Sequence, residues 1–138
     1  MLLDTHVWIW MATDAPGRLG RRTRRLLARA TGSRAPFVST MSVFEIAALH
    51  TAGRLAFTRP IERWLRESIG NAELRVIDLE INIAIDAALI PAGLLADPID
   101  RCLVATAREY DVPLLTCDQR ILDYASSTGL LRVVDAAA

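Results

Sequence analysis

The sequence predicts an α/β fold in which a parallel sheet of five short strands carries helices on both faces. Three observations lead there. Short apolar runs alternate along the chain with segments of helical period. The 138 residues, 15.2 kDa, are 52% hydrophobic and 23% charged, which suits one compact core and excludes a disordered chain. Only two cysteines, Cys102 and Cys117, are present, both in apolar surroundings, so no disulfide framework is needed. One domain is expected over residues 1–138, without repeats, linkers or low-complexity segments.

The elements follow in order. Residues 2–4 read as a buried strand. Residues 6–13 read as a helix with Val7, Trp8, Trp10 and Met11 at helical spacing, and Pro16 and Gly17 break the pattern after it. Residues 18–31 form a basic helix with Leu19, Leu26, Leu27 and Ala30 as its apolar stripe. A second strand, Phe37-Val38-Ser39, precedes a helix over 42–52 that ends near Gly53. Residues 60–69 form a helix with Pro60 at its start and Gly70 beyond its end. Residues 74–79 make the third strand, 80–90 and 98–110 two helices, 113–117 the fourth strand, 119–125 a short helix and 130–134 the fifth strand.

Charge removes several chemistries. Sixteen basic and sixteen acidic side chains cancel, and all sixteen bases are arginine. Without lysine there is no Walker A phosphate loop and no Schiff base, and a phosphatase with an aspartate nucleophile lacks both its lysine and a second acid two residues after Asp4, where His6 stands. No Gly-x-Gly-x-x-Gly follows the first strand, which excludes a dinucleotide fingerprint. Residues 1–40 hold seven arginines against two acids, and the remainder nine against fourteen. Spacings of three and four put Arg18, Arg21, Arg22, Arg25 and Arg29 on one helical stripe, a candidate contact for a phosphate backbone; a solvated helix face is the plainer reading. Arg101 is placed to approach a phosphate or to pair with Asp97. The apolar start lacks a basic leader and no uncharged stretch is long enough to span a bilayer, so a cytoplasmic protein is expected.

In a parallel sheet, sites collect at the carboxyl ends of the strands. Asp4 closes the first strand, Glu45 lies on the first turn of the helix after the second, Asp97 and Asp100 bracket a helix start, and Asp118 follows the fourth. Each has a structural reading as well. Ser42-Val43-Phe44-Glu45 matches a capping box, and Asp97, Asp100 and Asp118 suit helix starts. Asp4 resists that reading, because it sits within an apolar run. Carboxylates about 4 Å apart repel by about 4 kcal/mol at an effective dielectric near 20, so a cluster needs shared protons or a cation. Oxygen-only ligands select Mg²⁺ or Mn²⁺, and phosphodiester hydrolysis is the chemistry that suits such a site, the ion activating a water and offsetting charge on the leaving oxygen. Asp78 also ends a strand, but one expected at the sheet edge and away from the cluster.

Four motifs carry a resemblance. Leu2-Leu3-Asp4-Thr5-His6-Val7-Trp8, Ser42-Val43-Phe44-Glu45-Ile46-Ala47, Asp97-Pro98-Ile99-Asp100-Arg101-Cys102-Leu103-Val104-Ala105-Thr106-Ala107 and Leu114-Leu115-Thr116-Cys117-Asp118 stand in order along the chain. Together they resemble the PIN-domain nucleases, and among them the VapC-like toxins of bacterial toxin–antitoxin pairs. Ile99 and Cys102 depart from the more typical apolar residues of the third motif. The resemblance implies a three-layer α/β/α sandwich, a homodimer, Mg²⁺-dependent endonucleolytic cleavage of RNA, and a VapB-like antitoxin that obstructs the site. It assigns Asp4, Glu45, Asp100 and Asp118 to catalysis and Asp4, Glu45, Asp97, Asp100 and Asp118 to metal binding, with Thr5 and Thr116 as polar supports. The contrasting reading is an inactive interaction module of the same fold, its acids serving as caps. Trp64 is a further candidate for a partner-facing surface.

Overall fold

The computed structural model describes residues 1–15 and 17–138; Pro16, expected to break the chain after the first helix, lies outside the described residues. Five parallel strands, β1 (Leu2–Leu3), β2 (Phe37–Ser39), β3 (Arg75–Ile77), β4 (Leu114–Thr116) and β5 (Val133–Asp135), form one sheet in the order β3-β2-β1-β4-β5. The helices are α1 (Thr5–Ala12), α2 (Arg21–Ala28), α3 (Thr40–Thr51), α4 (Ile61–Asn71), α5 (Ile81–Leu89), α6 (Pro98–Glu109) and α7 (Gln119–Thr128). The shortest strand is central: Leu2 pairs with Phe37 on one side and Leu114 on the other, and Leu3 pairs with Leu115.

Successive side chains of a strand point to opposite faces. Leu2 therefore joins Leu103, Val104, Leu114 and Ile121 beneath α6 and α7, while Leu3 joins Val7, Trp8, Val38, Ile46 and Leu115 beneath α1 and α3. With both faces covered, the strands read as continuous apolar runs instead of alternating ones. A smaller cluster, Ile77, Ile83, Ala87 and Ala105, seats α5 against α6 and the edge strand.

Several boundaries differ from the sequence expectation, each for a local or tertiary reason. The basic helix spans Arg21–Ala28 only, and Arg18 stands outside it. Its start is capped from far along the chain: the Gly20 N–H donates to the Ala136 carbonyl, and the Thr23 N–H and hydroxyl donate to that of Ala138. A Cβ on Gly20 would collide with the Ala137–Ala138 backbone, so that close approach requires glycine. Helix α3 begins two residues early because the Ser39 hydroxyl accepts from the Met41 N–H at 3.0 Å. Gly70 lies inside α4 instead of ending it. Helix α7 extends to Thr128 and stops at Gly129, whose φ of 66° is left-handed. Trp64 is buried against Trp8 and Phe57, so it belongs to the core and offers no partner surface.

Candidate active site

Parallel strands bring their carboxyl ends to one edge of the sheet. Asp4 follows β1 there as the N-cap of α1, Ser39 ends β2, and Asp118 follows β4 as the N-cap of α7. The Asp4 carboxylate is buried. Its Oδ1 accepts from the Thr5 N–H at 2.7 Å and its Oδ2 from the Thr116 hydroxyl at 2.6 Å. The same Thr116 oxygen accepts from the Asp118 N–H at 2.9 Å, so one buried hydroxyl ties the ends of β1 and β4 together. Thr5 works on the other side: its hydroxyl donates to the Ser42 hydroxyl at 2.9 Å, linking α1 to α3.

Glu45 lies in the second turn of α3, because that helix starts at Thr40. Ser42 is therefore inside the helix, and the capping-box reading of Ser42–Glu45 does not hold. Asp97 is a cap: its Oδ1 accepts from the N–H groups of Ile99 and Asp100, at 2.9 and 3.0 Å. Asp118 accepts from the Arg120 N–H at 2.9 Å and forms an ion pair with the Arg120 guanidinium, also at 2.9 Å. Asp100 is only 7% exposed, and its buried Oδ2 has no hydrogen-bond partner.

The electrostatics divide the acids. Burial first, and then the charges of Asp97, Asp118 and Asp4, push the Asp100 carboxyl up to about 7, with Arg120 opposing them. Burial likewise raises Asp4, against the bonds from Thr116 and Thr5, and the Asp118 charge adds to it. Glu45 is raised first by burial, then by Asp4 and Asp97, with Thr5 and His6 pulling the other way. Asp118 is held below the usual carboxylate range by its bond to Arg120. Asp100 thus feels the charges of Asp4, Asp97 and Asp118, and Glu45 those of Asp4 and Asp97, so the five acids share one region at the carboxyl edge. Among the described residues, however, no three acid, histidine or cysteine side chains are drawn together as a preassembled metal cage. Asp78 is exposed beyond the edge strand β3, where its charge acts on Tyr110.

Such a pocket fits a hard divalent cation. Its donors are all oxygen, its carboxylates are desolvated and mutually repelling, and the buried Asp100 Oδ2 has no hydrogen-bond partner.

The arginines lie elsewhere. Arg21, Arg22, Arg25 and Arg29 line a groove with Leu26, Met1, Pro113, Val134 and Ala138. Met1 and Pro113 precede β1 and β4, so the groove reaches the edge of the sheet opposite the acids. Arg18 is not on that stripe; its guanidinium sits 5.8 Å from the Trp10 ring centroid. Arg101 forms no ion pair with Asp97 among the described residues; it donates instead to the Ile90 carbonyl at 3.4 Å, and its buried Nε is unpartnered. Three residues that the motifs did not single out belong to the pocket. Ser42 receives Thr5, His6 sits near enough to Asp4 and Glu45 to favour their charged forms, and Arg120 holds Asp118. His6 and Ser42 stand within the first and second motifs without an assigned place in the site, and Arg120 lies two residues after an N-cap acid.

The PIN-domain family matches residues 1–126. Ribonuclease VapC22 of Mycobacterium tuberculosis is 30% identical over 121 residues, covering 88% of each chain. Two solved structures share the fold: DNA-bound VapBC from Salmonella typhimurium, with a TM-score of 0.67 at 22% identity over 97% of this chain and 96% of that one, and VapBC2 from Rickettsia felis bound to a promoter DNA fragment, with 0.65 at 12% identity over 96% of each.

Proposed function

The chain belongs to the PIN-domain family, and on that premise we propose that it is a Mg²⁺-dependent endoribonuclease, the toxin half of a VapBC-type toxin–antitoxin pair. The observation that carries the reading is the buried carboxylate pocket at the carboxyl edge of the sheet, with Asp100 Oδ2 left without a partner. Asp4 and Asp100 would hold the ion, with Glu45, Asp97 and Asp118 around it; Mn²⁺ is the alternative with the same oxygen preference. When bound, the ion supplies a water of lowered pKa and offsets charge on the phosphodiester. The chain's own part is positional. Thr116 holds Asp4 by its Oδ2, Thr5 and Ser42 brace α1 against α3, and Arg120 keeps Asp118 ionised. Glu45, whose burial favours its protonated form, is suited to take up and release a proton near the reacting phosphate.

Hydrolysis in this manner leaves a 5′-phosphate and a 3′-hydroxyl. The arginine groove beside α2 is assigned to distant stretches of the RNA backbone, since it lies at the other edge of the sheet. A homodimer is supported by Ile81, Ile85 and Leu89, which recur every fourth residue along α5 and are all more than half exposed. No helix among the described residues is long and apolar enough to cross a membrane, and a cytoplasmic location is part of the reading. The test is incubation of single-stranded RNA with antitoxin-free protein, with Mg²⁺ and with chelator. Cleavage in Mg²⁺ alone, lost in an Asp4→Asn variant of unchanged circular dichroism, is expected; equal cleavage with chelator, or full activity of Asp4→Asn, would refute it.

A further inference from the structure

We propose that His6, Trp10 and Arg18 form a stacking track for unpaired RNA bases next to the cleavage pocket, an inference that rests on the nuclease reading. Helix α1 begins at the pocket, with Asp4 as its cap. His6 and Trp10 are four residues apart and so share one face of it, leading away from the acids. The His6 ring is exposed, makes no hydrogen bond among the described residues, and lies near enough to Asp4 and Glu45 to act on both carboxylates. Its centroid is 5.8 Å from that of Trp10, with the rings tilted by 50°. Rings at that angle do not seal each other's faces, as a flat stack would. Arg18 continues the series with its guanidinium 5.8 Å from the Trp10 centroid, and it forms no ion pair with any acid among the described residues.

Two aromatic rings followed by a planar cation are the side chains on which single-stranded bases stack, and they tolerate sequence because every base has a π face. The track also resolves an electrostatic difficulty. A phosphate backbone approaching the pocket meets acids, so attraction has to come from bases as well as from charge, and His6 and Arg18 put two nitrogenous groups on either side of Trp10. Arg21, Arg22, Arg25 and Arg29 cannot serve that purpose, because their groove reaches the opposite edge of the sheet.

The test compares a single-stranded RNA with the same strand carrying abasic sites on both sides of the cut. The proteins are the wild type and the His6→Ala, His6→Phe, Trp10→Leu, Trp10→Phe and Arg18→Ala variants. For intact RNA, His6→Ala and Trp10→Leu should each raise KM about five- to a hundredfold, and Trp10→Leu should do so with little change in kcat. His6→Phe and Trp10→Phe should restore most of the loss, and on the abasic strand all variants should converge on a weakened wild type. Because His6 is exposed, its variants test the track even if Trp10→Leu fails to fold. A wild type that cleaves both strands equally well, or a His6→Ala with unchanged KM, would overturn the track and leave the nuclease reading standing. If the wild type cleaves nothing, the nuclease reading fails on its own. Binding of the same two strands, read by tryptophan fluorescence, then decides the track: a preference for the base-bearing strand that His6→Ala abolishes upholds it, and equal binding overturns it.

Discussion

The molecule holds two single-signed charge clusters, and they are built in opposite ways. The acids at the carboxyl edge are buried or half-buried and come from distant parts of the chain, and Asp4 at their centre is fixed by a hydrogen bond that crosses between strands. The arginines of α2 come from one short helix, are exposed, and none pairs with an acid among the described residues. Like charges cost little where water screens them and a great deal where it is excluded. The acidic cluster is therefore held against its own repulsion, while the basic one is at rest. What sets a reactive centre apart is the desolvation imposed on its charges, and counting them along the sequence does not reveal it.

The sharpest way to break that contrast is to neutralise one member of each cluster. Asp100→Asn should lower cleavage of RNA by roughly a thousandfold or more, as loss of a metal-holding carboxylate does, measured as kcat/KM. In chelator the same variant should be more stable than the wild type. Its carboxyl titrates near 7 in the folded chain, above the unfolded value, so its contribution to stability is present at acid pH and is lost as pH rises through 7. The gain should accordingly be roughly 1–3 kcal/mol at pH 8 and vanish near pH 4, read from urea denaturation. Mg²⁺ should stabilise the wild type more at pH 8 than at pH 5, with little effect on Asp100→Asn.

Thr116→Val comes next. It strips one bond from Asp4 and one from the Asp118 N–H, both at buried or half-buried positions, and should cost about 1–3 kcal/mol of stability with a smaller loss of activity than Asp100→Asn. The smallest effect belongs to the basic cluster. Arg22→Ala and Arg25→Ala should change stability by less than about 0.5 kcal/mol and leave kcat alone. If the groove follows an RNA backbone, each should reduce the salt slope of binding by about one phosphate's worth. A large loss of kcat in either variant would erase the distinction between the clusters.

Much of this contrast was visible in the sequence, but unevenly. The strand and helix alternation located all five strands, and Asp4 stood out as an acid in an apolar run, although its expected freedom from a capping role did not hold, since it caps α1. The cap roles of Asp97 and Asp118 were equally readable. Glu45 was misplaced by one turn because Ser42 looked like a better cap than Ser39, and only the packing of β2 shows which serine ends the strand. The length of α2 was overestimated because its start is capped by Ala136 and Ala138, more than a hundred residues away. Arg18 left its stripe for the same reason. Trp64 looked like a partner surface since an amphipathic helix has the same pattern whether its apolar face meets a partner or its own core.

The Thr116–Asp4 bond spans 112 positions of the chain and joins neighbouring central strands. During synthesis, then, a ribosome can expose Asp4, Glu45 and even Asp100 without making a working centre, because the residue that secures Asp4 and the acid after it are translated later than all three. On the proposed reading, a chain that terminates before residue 118 lacks both the clasp on Asp4 and the last acid, and a truncation series assayed for RNA cleavage should show none in any such product.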